Sequence, residues 1–267
     1  DYGNKDYSVS SLKAKLISEI DDINIVDITH DISPFNLAEA GYVLEGAFSE
    51  FPKGTIHILS VDSELTPENK HIAIMYDGSF FIGADNGVFS LIFRDKKPDQ
   101  IVEINLHSNY NYDISADELF VKVASHINRS GPLNVVGSEI DTIKEITNLR
   151  PVINKEMNQI IGSVIYIDNY GNVVTNITEK LFKEISKTRP FTINARNVKF
   201  SKIHKNYSDA IDFNLEKKDR EEDGKKIALF NNLGYLQLSV YRSNPQTVGS
   251  ASTLFGLNYR DAVSVYF

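Results

Sequence analysis

The chain has 267 residues, 42% of them hydrophobic and 10% aromatic, which is enough to build one large domain or two ordinary ones. Its formal net charge of −8 argues against nucleic-acid binding, because phosphate contacts need a basic surface. The absence of Cys excludes thiol catalysis, disulfides and Cys-ligated zinc. No apolar run reaches the roughly 18 residues of a membrane span. We therefore expect a cytoplasmic protein that binds neither nucleic acid nor membrane.

The first part of the chain alternates helical and strand patterns. Apolar spacing predicts a first helix over about 9–20, and Asn36 with Glu39 predicts an N-cap for a helix ending near Phe48. The remaining predicted elements are strands at 24–28, 55–62, 72–76, 80–83 and 101–105 and a helix at 116–129. This alternation predicts an α/β domain over residues 1–148 with a largely parallel, Rossmann-like sheet.

The pattern changes after a linker predicted at 149–157. Short strands follow at 159–167, 173–177, 191–200, 226–231, 235–241 and 262–267, with one helix near 179–187. Such strands predict a second, mainly antiparallel β domain over 158–267. At the other end, a polar turn leads from Asp1 into the first helix with no strand before it, so we expect the natural protein to begin earlier.

Polar side chains follow three predicted strands of the first domain. They are Asp27 with His30, Asp62 with its neighbours Ser63 and Glu64, and Asp85 with Asn86. Ligands of open α/β sheets bind outside the carboxyl ends of the strands, and carboxylates there suit a ribose diol or an ammonium group. Helix capping and turn formation are the more common roles of these residue types, so the structural interpretation stays open beside the functional one.

The sequence favours neither metal nor phosphate chemistry. His30 and His126 have no partner at metal-ligand spacing, and Gly83 and Gly87 are too sparse for a phosphate loop. We therefore expect no metal and no cofactor.

The segment 165–177 places Asp168, Tyr170, Gly171 and Asn172 between two strands. This is typical either of a plain turn or of the edge of a site for a small polar ligand. Together with Tyr207, Tyr170 is able to sandwich a flat heteroaromatic ring, although two ordinary half-exposed tyrosines are the alternative.

Six segments in chain order resemble the S-adenosylmethionine hydroxide adenosyltransferase family, which forms adenosine from S-adenosylmethionine and includes halide-using relatives. They begin at Asp1, Ile25, Phe51, Ala84, Ile167 and Asn232. The resemblance implies an α/β domain followed by a β-barrel-like domain. It also implies a homotrimer whose small-molecule adenosyl ligand, a substrate and not a cofactor, binds between one subunit's first domain and its neighbour's second domain.

The resemblance also assigns ligand contacts. It implies that Asp1 holds the ribose hydroxyls near Ser8, and that Phe35 packs on the ribose or the methionine portion. In the second domain, it implies contacts to the ligand from Asp168 (ammonium), Tyr170 and Tyr207 (adenine faces), Asn172, Asn232, Ser250 and Ala251 (adenine edge).

The chain departs from the family in the residues that activate water. Asp62 is retained, but Asn69 stands where the family has Arg, followed by Lys70, and Ser115 stands where it has His. Asn cannot supply the charge of Arg, and Ser cannot act as an imidazole base. The resemblance implies hydrolysis of S-adenosylmethionine with Asp62, Asn69, Lys70 and Ser115 as catalytic candidates. A catalytically impaired nucleoside-binding sensor or scavenger and a structural module without a ligand are the alternatives.

Overall fold

The structure, a computed structural model, describes residues 1–106, 114–147 and 149–267. It divides into two compact units, Asp1–Ile146 and Thr147–Phe267. Residue 148, the predicted end of the first domain, lies outside the described residues. No helix among the described residues is long and apolar enough to cross a membrane.

The first unit contains a five-stranded sheet flanked by helices. Its elements are α1 (Ser8–Glu19), α2 (Leu37–Phe48), β1 (Ile56–Ile58), β2 (His71–Tyr76), β3 (Ser79–Ala84), α3 (Val88–Phe93), β4 (Gln100–Ile104), α4 (Ala116–Asn128) and β5 (Gly137–Glu139). The strand order is β1-β3-β2-β4-β5.

This sheet is mixed, which corrects the largely parallel sheet expected from the sequence; a Rossmann-like arrangement is not confirmed. Among the described strands, β1 and β3 pair in parallel, whereas β2–β3, β2–β4 and β4–β5 are antiparallel. The reason is local: the turn at Asp77 and Gly78 joins β2 to β3 directly, and a two-residue connection permits only antiparallel pairing.

The predicted helices of this unit are confirmed, but the strand at 24–28 is not. Asn36 caps α2 by accepting a hydrogen bond from the Glu39 nitrogen at 3.2 Å, and its amide donates back to the Glu39 carboxylate at 3.0 Å. Residues 24–28 form neither a helix nor a strand, and none of the described strands pairs with them. Ile25 packs against the core, as does Ile23 just before this segment, whereas Val26 and Ile28 are exposed.

The core of the first unit lies on both faces of the sheet. Successive residues of β2 alternate between two apolar clusters: Ala73 packs with α1 and α4, whereas Ile72 and Ile74 pack with α2 and α3. Phe81 is fully buried in the second cluster, where its ring lies 5.5 Å from that of Phe48 and 5.2 Å from that of Phe93.

The second unit is an antiparallel, barrel-like sheet of eight strands. Its elements are β6 (Val152–Ile153), β7 (Gln159–Ile167), β8 (Val173–Thr178), α5 (Glu179–Ser186), β9 (Thr192–Ala195), β10 (Val198–Phe200), β11 (Lys226–Phe230), β12 (Tyr235–Val240), α6 (Ala251–Phe255) and β13 (Ala262–Tyr266). The order is β10-β9-β13-β7-β8-β12-β11, and the short β6, which falls within the predicted linker, pairs with β7.

The two ends of this sheet approach each other. Beyond β10, His204 forms a parallel bridge with Leu229 of β11, and its nitrogen donates to the Ala228 carbonyl at 2.8 Å. This contact brings the chain after one edge strand to the opposite edge strand and nearly closes the barrel.

We expect Phe81→Ala to lower the free energy of unfolding by about 3–5 kcal/mol, because it leaves a cavity among packed aromatic rings. Phe213→Ala is the matched control, since 48% of Phe213 is exposed, and it should cost roughly 1 kcal/mol or less. Equilibrium denaturation with urea measures both. Equal losses in the two variants would contradict the assignment of this core.

Candidate active site

The parallel pairing of β1 and β3 brings two polar segments to one edge of the first sheet, because both strands end there. Asn86, which follows β3, is 6% exposed and donates through Nδ2 to the carbonyls of Val61 (2.9 Å) and Asp62 (3.1 Å). Asp62 adopts a left-handed backbone with φ of 47°. The loop that follows β3 therefore holds the Asp62 main chain in position.

Asp1 and Phe35 lie at the same edge. The Asp1 main-chain nitrogen donates to the Ser60 carbonyl at 3.1 Å, and its Oδ2 accepts a hydrogen bond from the Phe35 nitrogen at 2.9 Å. The Phe35 side chain is 72% exposed. Ser8 begins α1 nearby in sequence, and its nitrogen donates to Asp6 Oδ1 at 2.8 Å. The structure thus brings Asp1, Phe35 and the segment leading to Asp62 together.

Asn69 and Lys70 are also tied to this edge. The Lys70 carbonyl accepts a hydrogen bond from the Asp85 nitrogen at 2.6 Å, and Asn69 Oδ1 accepts one from Lys144 Nζ at 3.0 Å. The main-chain nitrogen of Lys144 also donates to Asp85 Oδ1 at 2.8 Å. Burial raises the pKa of Asp85, and the contacts with Lys144 oppose that shift.

Ser115 has a structural contact in α4. Its Oγ accepts a hydrogen bond from the Glu118 nitrogen at 3.3 Å, so the side chain caps the helix. Two residues later, Asp117 Oδ1 accepts a hydrogen bond from the Tyr2 hydroxyl. The start of α4 is therefore connected to the residue that follows Asp1.

In the second unit, Asp168 shapes the loop between β7 and β8. Its Oδ1 accepts hydrogen bonds from the nitrogens of Tyr170 (2.9 Å) and Asn172 (2.8 Å), while Oδ2 accepts one from Asn172 Nδ2 at 2.8 Å. Asn172 is 4% exposed, and its Oδ1 has no hydrogen-bond partner among the described residues. A buried acceptor without a partner is unusual and suits a site that receives a donor from a ligand.

This loop packs against the start of α6. Gly171 has φ of 73°, and a Cβ on it would lie 2.2 Å from Ser250 Oγ. The Ser252 nitrogen donates to the Gly171 carbonyl at 3.0 Å. Ser250 caps α6, which begins at Ala251. Ser250 and Ala251 are consequently held beside Tyr170 and Asn172. The aromatic side chain of Tyr170 is 65% exposed.

Tyr207 approaches the same end of the sheet through a polar network. Its hydroxyl accepts a hydrogen bond from Gln237 Nε2 at 2.7 Å and lies 3.4 Å from Ser239 Oγ. Leu238 pairs with Val173, so Ser239, one residue further, lies level with Asn172.

Asn232 lies away from the Asp168 loop and from Tyr207. It is exposed in the turn that precedes β12, whereas Ser239 lies near the end of that strand. Its neighbour Asn231 donates instead to Gln237 Oε1 at 3.4 Å. The strand itself therefore separates Asn232 from the Asp168 loop.

The sequence interpretation missed four polar residues at these sites: Tyr2 and Asp117, which pair with each other, and Lys144 and Gln237. Tyr2 and Asp117 are separated by 115 positions, and Lys144 and Asn69 by 75. No local pattern signals such contacts; the only available sign was that Tyr2 directly follows Asp1. Among the described residues, no group of three or more His, Asp or Glu side chains is arranged to hold a metal.

Comparison with protein families matches both units. The model of the SAM hydroxide adenosyltransferase N-terminal domain matches residues 1–137, and that of the C-terminal domain matches residues 162–264. Together these matches cover most of the chain.

Individual relatives extend the likeness to the full length. An (R)-S-adenosyl-L-methionine hydrolase of Methanocaldococcus jannaschii is 27% identical over 100% of this chain and 94% of its own. A protein of the same name from Salinispora tropica is 22% identical over 70% of this chain and 74% of its own. The crystal structure of an uncharacterized conserved protein from Thermotoga maritima superposes with a TM-score of 0.78 at 25% identity, covering 100% of this chain and 98% of that one.

We expect Gly171→Ala to destabilise the second unit more than Gly234→Ala. Both residues have positive φ, but a Cβ at Gly234 meets nothing within 4 Å. Gly234→Ala therefore reports backbone strain alone, about 1 kcal/mol, whereas Gly171→Ala adds a collision with Ser250. Urea denaturation of both variants measures the difference. Equal stabilities would show that the Asp168 loop does not pack on α6 in this way.

Proposed function

The chain belongs to the SAM hydroxide adenosyltransferase family, and from this premise we propose that it hydrolyses S-adenosylmethionine, or a related 5′-substituted adenosine, to adenosine and methionine. It is an enzyme of the S-adenosylmethionine hydrolase type. The observation that carries the specific reaction is the full-length relationship to the hydrolase of Methanocaldococcus jannaschii, which leaves neither unit unmatched.

The proposed step is displacement at the ribose C5′ carbon. A water oxygen forms a bond to C5′ while the C5′–sulfur bond breaks and its electron pair stays on sulfur. Methionine leaves as a neutral thioether and needs no proton, so the enzyme has only to orient the water and accept one proton. Asp62 is the proposed orienting group, because it follows the first strand of the sheet at the ligand-binding edge.

In the first unit, we assign the ribose to Asp1, whose carboxylate accepts the hydroxyls. Phe35 packs on the sugar or methionine portion, and its exposed ring supports this role. Ser8, the first residue of α1, is assigned to the same part of the ligand. Asn69, Lys70 and Ser115 complete the proposed surroundings of the reacting water, with Lys144 holding Asn69 in place.

In the second unit, we assign the adenine to the faces of Tyr170 and Tyr207 and its edge to Ser250 and Ala251. Asp168 faces the methionine ammonium, and the partnerless Asn172 Oδ1 accepts a ligand hydrogen bond. Asn232, at the other end of β12, is left out of this assignment.

We further propose a homotrimer in which the first unit of one copy and the second unit of a neighbouring copy enclose each ligand. The support is that Phe35 and Tyr170 expose most of their rings in a single chain. Apolar rings beside polar groups are typical of surfaces that a ligand or a second copy covers.

The reaction is tested by incubating the purified protein with S-adenosylmethionine and quantifying adenosine and methionine by chromatography. Asp62→Asn should lower kcat by roughly 10²–10⁴-fold, the usual cost of removing a positioned catalytic carboxylate. Asn tolerates the left-handed backbone at this position, so the loop is preserved.

Glu64→Gln is the matched control for this loop, because it neutralises an exposed acid two positions away, and it should retain activity. Adenosine binding by calorimetry without any product from the wild-type protein would overturn the hydrolase assignment in favour of a nucleoside-binding protein.

The shared site is tested by subunit complementation. Asp62→Asn disables the first-unit half of a site, and Tyr170→Ala the second-unit half. When equal amounts of the two inactive proteins are unfolded and reassembled together, about a quarter of the sites in a cyclic trimer receive both intact halves. Activity near that fraction is expected. Failure of the mixture to regain activity, although each variant reassembles to the wild-type mass, would place the whole site within one chain.

A further inference from the structure

The pair Tyr2 and Asp117 lies beside the candidate active site, and neither residue has been given a role in the proposed reaction so far. The Tyr2 hydroxyl donates to Asp117 Oδ1, joining the chain's second residue to the first turn of α4. The Ser60 and Ser63 side chains both contact the Tyr2 hydroxyl and oppose the rise in its pKa. Apart from this contact, the buried Ser60 Oγ has no hydrogen-bond partner among the described residues.

The position of this pair is set by the residues on either side. Asp1 precedes Tyr2 and is anchored on the Ser60 carbonyl, while Ser63, a partner of the Tyr2 hydroxyl, directly follows Asp62. The Tyr2 hydroxyl therefore contacts the chain segment that leads to Asp62, and Tyr2 itself follows Asp1, so it lies in the segments that carry both acids proposed to contact the ribose and the water. The Ser60 and Ser63 hydroxyls make its surroundings polar.

The proposed hydrolysis releases one proton, and the other candidates are poorly suited to receive it. Ser115 is engaged in capping α4, and a hydroxyl is a weak base. Asn69 is a neutral amide whose oxygen is occupied by Lys144. Asp117, reached through the Tyr2 hydroxyl, is a carboxylate acceptor that this edge offers in addition to Asp62.

We propose that Tyr2 and Asp117 form the proton relay of this enzyme, an assignment that rests on the proposed hydrolase function. As the water oxygen bonds to C5′ and sulfur departs with its electron pair, a water proton passes to Tyr2 Oη. The Tyr2 hydroxyl proton passes at the same time to Asp117, which later releases it to solvent. Tyr2 ends the step neutral, as it began.

The electrostatics of the pair are consistent with this relay. Burial of the phenol, and then the Asp117 carboxylate, raise the pKa of Tyr2 to about 12, so the hydroxyl stays protonated at neutral pH and is available to donate. Asp117 lies in the first turn of α4, directly beside the Tyr2 hydroxyl that donates to it.

The test is the single-atom change Tyr2→Phe in the full chain, assayed for adenosine formation. We expect kcat to fall by about 10²-fold, with KM changed less than about twofold, because general acid–base assistance acts on the chemical step and not on binding. Tyr7→Phe is the matched control: the same change is made five positions away on a side chain that is 80% exposed, and it should leave kcat unaltered.

Two further measurements separate a relay from a structural contact. Asp117→Asn should lower kcat as much as Tyr2→Phe, and the double variant should lose no more than either single one, because the two groups act as a unit. The solvent deuterium isotope effect on kcat should change in Tyr2→Phe and stay constant in Tyr7→Phe.

The outcomes are distinguishable. Wild-type activity with an undiminished kcat in Tyr2→Phe overturns the relay and leaves the hydrolase intact. A parallel loss of melting temperature and adenosine affinity, with kcat preserved, overturns it in favour of a purely structural bond. Absence of adenosine from the wild-type reaction overturns both the relay and the function on which it rests.

Discussion

The parallel pairing of β1 with β3 is the constraint on which the candidate site of the first unit depends. Both strands end at one edge of the sheet, so the segment through Asp62 and the segment through Asn86 leave side by side. The Asn86 amide then holds two consecutive carbonyls of the other segment. The β1–β3 pair is the one parallel pair among the described strands of the first sheet, and it is enough to gather the polar groups, because it needs only two neighbouring strands that end together.

In the second unit, one carboxylate and one glycine shape the loop between β7 and β8. Asp168 uses both carboxylate oxygens to fold its own loop, and Gly171 then lets that loop approach Ser250 more closely than any side chain would allow. The loop and the α6 terminus are thereby held together by backbone contacts. Tyr170 is left exposed on this support. Such an arrangement suits the stacking role proposed for it, since preorganisation lowers the entropic cost of binding.

Charge at the first edge is arranged through long-range contacts. Lys144 meets Asn69 with its ammonium and Asp85 with its main chain, and Tyr2 meets Asp117 at the start of α4. The Asp85 and Asp117 carboxylates thus each accept a hydrogen bond from a distant part of the chain. Such pairing reduces the cost of placing several carboxylates at one edge.

Local patterns in the sequence determined most elements and the family. The helical spacing before Glu19, the capping pair Asn36–Glu39 and the uninterrupted strand 159–167 depend on neighbouring residues, and all three are confirmed. Only the tertiary structure decided the sheet pairing, the exclusion of residues 24–28 from the described sheet and the contacts of Tyr2, Asn69 and Asn232. These features depend on which distant segments of the chain come into contact. Hydrophobic burial is favourable against any apolar surface, so the periodicity of apolar residues cannot specify which segment a strand or helix packs against.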